Sequence, residues 1–142
     1  MQSRSLRLVR PLAAALLLAL AGCSTANAGS AGDAAVRRHH ELYDAERFGV
    51  MYTTADAELK ETLADSQFVS IARGIYGRLG PTGATRKLGT TVSLTVFGGA
   101  QVALRYETRF QNGPGVEEFV FRVRGSRATL LGWKVDSPVL LQ

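Results

Sequence analysis

VSLTVFGGAQVALRYETRFQNGPGVEEFVFRVRGSRATLLGWKV, from Val92 to Val135, is the stretch that decides the fold. Apolar and polar residues alternate along it, as they do where successive strand side chains face opposite sides of a sheet. A first strand over about 86–97 sets Val92, Leu94 and Val96 against Thr91, Ser93, Thr95 and Phe97. Gly98-Gly99-Ala100 then turns the chain. A second strand (about 101–111) sets Val102, Leu104, Tyr106, Thr108 and Phe110 against Ala103, Arg105, Glu107 and Arg109. Asn112-Gly113-Pro114-Gly115 is a dense turn signal. In the third strand (about 116–124), Phe119, Phe121 and Val123 oppose Glu118, Val120, Arg122 and Arg124. Gly125-Ser126-Arg127 makes the last turn. The fourth strand (about 128–136) sets Leu131, Trp133 and Val135 against Leu130, Lys134 and Asp136.

The apolar sets predict a register, because a slip of one residue sends every side chain to the other face. Facing Arg109 with Glu118 pairs Tyr106 with Phe121 and Leu104 with Val123. A three-residue last turn pairs Phe119 with Trp133, Phe121 with Leu131 and Glu118 with Lys134. A two-residue turn there would put Trp133 opposite Glu118 and is rejected. The first hairpin pairs Val96 with Val102 and Leu94 with Leu104. One face is then apolar and must be covered, and the other carries a row of charge suited to solvent.

Upstream, three helices are expected to cover the apolar face. Asp33 is placed to cap the first, which runs to about Tyr43 with Val36, His39 or His40, and Tyr43 on one side. A second lies near 45–53, followed by a looser turn and a short helical piece before Asp65. In the third, capped by Asp65 or Ser66, Phe68, Ile71, Ala72, Ile75 and Leu79 repeat at helical spacing, and Gly80-Pro81 stops it. Gly74, Gly77, Gly80 and Gly83 lie within and after that helix. A phosphate loop needs its glycines between a strand and a following helix. His39 and His40 are the only histidines; adjacent helical positions diverge by about 100°, so no shared metal is expected.

The N-terminus reads differently. Arg4, Arg7 and Arg10 precede the apolar run Leu12–Leu20, which is about half of the roughly 20 residues a spanning helix needs. Leu20-Ala21-Gly22-Cys23 resembles the lipobox of bacterial lipoproteins. The resemblance implies a signal peptide (1–22) cut before Cys23, a diacylglyceryl group on the Cys23 thiol and acylation of the new amine. It also implies a lipid-anchored envelope location. With Ser24 where a retention Asp would stand, it implies the outer membrane facing the periplasm in a Gram-negative cell. Cys23 is the only cysteine, so no internal disulfide competes for it. Residues 23–32, small and Gly/Ser/Ala-rich, read as a flexible tether, leaving 33–142 as one domain.

Three of the 17 Lys and Arg fall in the leader, leaving 14 against 12 acidic residues, a net of +2. Such a balance lacks the strongly basic footprint of nucleic-acid binding.

Helices followed by a one-sided antiparallel meander make an α+β, two-layer domain. The element order, the run Phe68…Ile71…Ile75…Leu79-Gly80 and the closing strand Leu131-Gly132-Trp133-Lys134-Val135-Asp136-Ser137 resemble the nuclear transport factor 2-like fold. This fold is also called cystatin-like or ketosteroid-isomerase-like. The resemblance, over about 34–137, implies a cone in which a curved sheet wraps a long helix. It is a fold-level likeness and does not identify a reaction.

Among the inward residues of the meander, only Tyr106 and Thr108 are polar, with no carboxylate or histidine. General acid–base catalysis wants a positioned, tuned group, so the expectation is a non-enzymatic binding or interaction domain. Tyr76, Tyr106, Thr108 and Trp133 are candidate polar handles of an apolar pocket, with a filled core as the alternative. Arg105, Arg109, Arg122 and Arg124 form a candidate face for an acidic envelope partner, an anionic polysaccharide or lipid headgroups. A small apolar ligand in the cone is a second reading. An enzyme of the ketosteroid-isomerase-like class, using His39, Asp44 or Glu46, is a third. No cofactor or metal is implied.

Overall fold

The computed structural model describes residues 9–96 and 99–142, with side chains from residue 25 onward. Residues 1–8, Phe97 of the expected first strand, Gly98 of the expected first turn and the Cys23 side chain all lie outside what is described. Four helices precede the sheet: α1 (Val9–Asp44), α2 (Phe48–Thr53), α3 (Ala57–Thr62) and α4 (Asp65–Leu79). Four strands follow, β1 (Thr82–Leu94), β2 (Ala100–Phe110), β3 (Gly113–Arg124) and β4 (Arg127–Asp136), then a 3-10 turn at Pro138–Leu141. The sheet is an antiparallel meander in the order β1-β2-β3-β4. The class is therefore α+β, with four helices rather than three. The short piece before Asp65 becomes α3 in its own right, because Asp56 caps it from Oδ1 to the Glu58 N–H at 3.1 Å. The Asp56 N–H itself is bonded to the Leu130 carbonyl of β4 at 2.9 Å.

The helix laid across the sheet is α1, and its register corrects the expected tether. Ala28, Gly32, Val36, His39 and Tyr43 form one buried stripe at helical spacing. A Cβ on Gly32 would stand 2.8 Å from Leu104 Cδ1 and 3.1 Å from Val102 Cγ1. Small residues here let a helix approach the strands; composition alone reads them as a linker. Asp33 consequently lies inside the helix rather than capping it. Its carboxylate accepts from Lys87 Nζ at 2.8 Å and from the Tyr106 hydroxyl at 2.5 Å. Gly32→Leu is expected to cost about 1–3 kcal/mol by overpacking, measured by chemical denaturation. A flexible tether would show no change.

The sheet register differs from expectation by four residues in two hairpins. β2 and β3 pair Arg105 with Glu118, Leu104 with Phe119 and Val102 with Phe121. Their turn is Gln111-Asn112, because both backbone N–H groups are claimed from outside the hairpin. Gln111 donates to the Pro81 carbonyl at 3.0 Å and Asn112 to the Leu79 carbonyl at 2.9 Å. Pro114 lies inside β3 where β3 outruns β4, a position at which a strand tolerates a missing N–H. β1 and β2 pair Val92 with Val102 and Leu94 with Ala100. An even shift keeps every residue on its assigned face. It does move Leu94 and Val96 out to the corner of the sheet, 64% and 94% exposed, rather than into the core.

In the last hairpin Phe119 faces Trp133 and Glu118 faces Lys134, as expected. Yet the turn is two residues long, and Phe121 faces Leu130 instead of Leu131. A bulge between Val120 and Phe121 reconciles the two. The unopposed extra residue on β4 removes the clash for which the short turn was rejected.

At the far end of α1, Asp44 accepts the Thr82 N–H and hydroxyl, both at 2.7 Å. Helices α2 and α4 pack on one another beside this end. Phe68, Ala72 and Leu79 of α4 are buried, and Gly80 ends the helix at φ 72°. Ile71 is not core; it is 53% exposed, since α4 meets α2 and the 3-10 turn rather than the sheet.

Candidate functional site

Glu117 shares a face with Phe119, Phe121 and Val123 because it is two residues before the first of them. It is fully buried. The expectation that no carboxylate or histidine points inward is therefore overturned, and strand parity in the sequence already carried the signal. The Thr108 hydroxyl donates to Oε2 at 2.5 Å, and the Trp133 indole N–H donates to Oε1 at 3.0 Å. His40 Nε2 stands 2.7 Å from Oε2. An ionised carboxylate is acceptor-only, so His40 is the donor in this bond. Burial raises the Glu117 pKa. The His40 bond and charge, with the hydroxyl and indole donors, outweigh it and hold the carboxyl below its ordinary value. Four elements, α1, β2, β3 and β4, meet at this one group.

His39 follows a different course. Its ring is edge-on to Trp133 at 4.6 Å and to Phe119 at 5.1 Å between centroids. Burial lowers its pKa to about 3, with the His40 charge adding to the effect and Glu117 opposing it. The imidazole is thus neutral at physiological pH. Its Nε2 is buried without a hydrogen-bond partner among the described residues. A buried polar atom left unpaired costs about 1–3 kcal/mol and calls for an explanation.

The explanation offered by the surroundings is a cleft of about 150 Å³ that His39 lines with Ala35, Leu42, Met51, Phe121 and Leu130, and with Arg38 at the rim. The cleft opens between α1, α2 and the hairpin of β3 and β4. It is apolar except for Arg38, Thr54 and the imidazole.

The structure brings Thr108 and Trp133 together on Glu117, but not the other two predicted handles. The Tyr106 hydroxyl goes to Asp33. Tyr76 packs against Tyr43 at 5.2 Å and Phe48 at 5.9 Å. Tyr43 itself donates to the Gly80 carbonyl at 3.1 Å, and burial raises its phenol pKa well above the usual range. Of the arginine face, Arg105 is paired with Glu118 at 3.1 Å, the partner expected for Arg109. Arg122 is half-buried and bonded to Asp56 at 2.9 Å and Glu58 at 2.5 Å. Arg109 and Arg124 are exposed and have no ion pair among the described residues. Of the helical acids and bases, His39 lines the cleft, whereas Asp44 is bonded to Thr82 and Glu46 is exposed.

Among the described residues, no helix is long and apolar enough to cross a membrane, and no three His, Cys, Asp or Glu gather as a metal site. No protein-family model matches the chain, and no curated protein matches it in sequence.

Proposed function

We propose that this chain is a lipid-anchored envelope protein, acylated on Cys23, whose domain is a compact nuclear transport factor 2-like cone that works as a binding module. In this reading α1 is the helix that the sheet wraps. The ligand is small and mostly apolar, with one hydrogen-bonding group, and sits in the cleft over His39. The observation that carries it is the unpartnered His39 Nε2 beside an apolar cleft. A volume near 150 Å³ suits a molecule of about benzene size, as in an engineered apolar cavity. The neutral imidazole supplies the one directional contact, and Arg38 is placed to meet an electronegative tail. Glu117 positions the site without touching it, holding His40 and Trp133 around the His39 ring.

Native mass spectrometry of the full chain, taken from its own membrane, is expected to show acyl mass on Cys23 and a retained small molecule. His39→Phe should lose that molecule while keeping the fold, since phenylalanine suits the Phe119 and Trp133 neighbours. If His39→Phe retains it unchanged, the cleft is not the site.

A further inference from the structure

We infer that Leu94 and Val96 at the end of β1, with Arg124 and Arg127 at the turn between β3 and β4, face a membrane surface of anionic lipid headgroups. The inference rests on acylation of Cys23 as proposed above.

Geometry sets the end of the domain that faces the bilayer. The contacts of α1 follow β2 from Gly32 against Val102 and Leu104 to Tyr43 beside Phe110. The start of β2, the end of β1 paired with it and the turn joining β3 to β4 therefore lie at the same end as residues 27–28. Asn27 and Ala28 line one cleft of about 430 Å³ with Leu94, Gly99, Val123 and Gly125. Since α1 continues through residue 23, four residues separate Cys23 from Asn27, about 6 Å along the helix. An acyl chain at Cys23 would hold the end of β1 and the turn between β3 and β4 within reach of headgroups.

The chemistry of that end suits such a surface. Leu94 and Val96 project at the end of β1, with Val96 94% exposed. Arg124 and Arg127 flank the turn between β3 and β4, both exposed and without an ion-pair partner among the described residues. The two arginines border a groove of about 510 Å³ that also takes in Lys60 and Arg122. Asp56 is the groove's one carboxylate, and it is bonded to Arg122 and Thr129. Glu58, just outside the groove, takes the other side of Arg122, so Lys60, Arg122, Arg124 and Arg127 stand against two carboxylates and leave a surplus of two positive charges. Basic residues near an anionic leaflet are attracted within a Debye length, and apolar side chains beside them enter the headgroup boundary. A protein partner would need no such proximity to the anchor.

The test uses the full acylated chain in vesicles of phosphatidylcholine alone or mixed equally with phosphatidylglycerol. Val96→Cys carries an environment-sensitive label, and Gln142→Cys carries the same label at the opposite end. Intact mass confirms acylation of Cys23 in each preparation. The expected result is several-fold weaker quenching by neutral acrylamide at position 96 in anionic vesicles only, with position 142 unaffected. Adding Arg124→Glu and Arg127→Glu should restore the quenching while the chain stays vesicle-bound. Equal quenching at position 96 in both vesicle types, with Cys23 acylated, overturns the docking and leaves the anchor standing. An unacylated Cys23 in the native protein overturns both.

Discussion

Glu117→Ala is expected to lower stability by about 3–5 kcal/mol, the range for breaking a buried charged pair from one side. The loss would be read as a shift of the denaturation midpoint at neutral pH. The substitution leaves the Thr108 hydroxyl, the Trp133 N–H and His40 facing a void. Thr108 is fully buried, so water has no ready path to replace the carboxylate. Against a typical total of about 5–15 kcal/mol, such a loss is a large share of the whole. Glu117→Gln should cost less, about 1–2 kcal/mol, because an amide oxygen still accepts from the indole or the hydroxyl. A Glu117→Ala effect below about 1 kcal/mol would mean that the carboxylate's own desolvation cancels its three bonds.

The second large effect is a pH dependence set by His39. The folded state keeps this imidazole neutral down to about pH 3, whereas in the unfolded chain it takes a proton near 6.5. Between these values the unfolded state binds more protons, so stability rises with pH and falls on acidification. Well below pH 6.5 the slope is roughly 1.4 kcal/mol per pH unit. The charged groups acting on the ring are Glu117 and His40. Depressed carboxylates behave in the same sense at lower pH. Glu117, Asp33 and Asp56 contribute stability above their ordinary values of 4.5, 3.8 and 3.8, lost as pH falls through the folded ones. The window from about 6.5 to 4.5 therefore isolates His39. The stability difference between the wild type and His39→Phe should widen in favour of the variant as pH falls across that window. Parallel curves would place the His39 proton uptake at the same pH in both states.

The site itself was half legible. Thr108 and Trp133, named as handles of an apolar pocket, converge instead on a buried carboxylate, and neither lines the cleft over His39. The group on which they converge was missed because Glu117-Glu118 reads as a charged pair at a strand start, although parity sends one of the two inward. The helical period puts His39 or His40 on the inner side of the first helix without choosing between them, and both turn inward, His39 to the cleft and His40 to Glu117. The unpaired nitrogen of His39 and the cleft beside it depend on where α2 and β4 come to rest, which no local pattern encodes. The arginine row was read correctly as lying off the apolar face. Its pairing was not, since Arg122 is taken up by Asp56 and Glu58, the cap and first turn of α3, 64 or more residues earlier in the chain.

Alternation along Val92–Val135 by itself determined the four strands, their order as a meander and, with the exceptions at the exposed corner and the β4 bulge, which face is buried. These follow from a two-residue period that survives any even shift of register. Tertiary structure decided the register of the first two hairpins. Backbone hydrogen bonds from Asn112 to Leu79, the last residue of α4, and from Gln111 to Pro81 just beyond it override the Asn-Gly-Pro-Gly turn signal. Tertiary structure also decided that residues 25–32 belong to the domain, because small side chains leave close helix–sheet contact open and only the opposing Val102 and Leu104 make use of it.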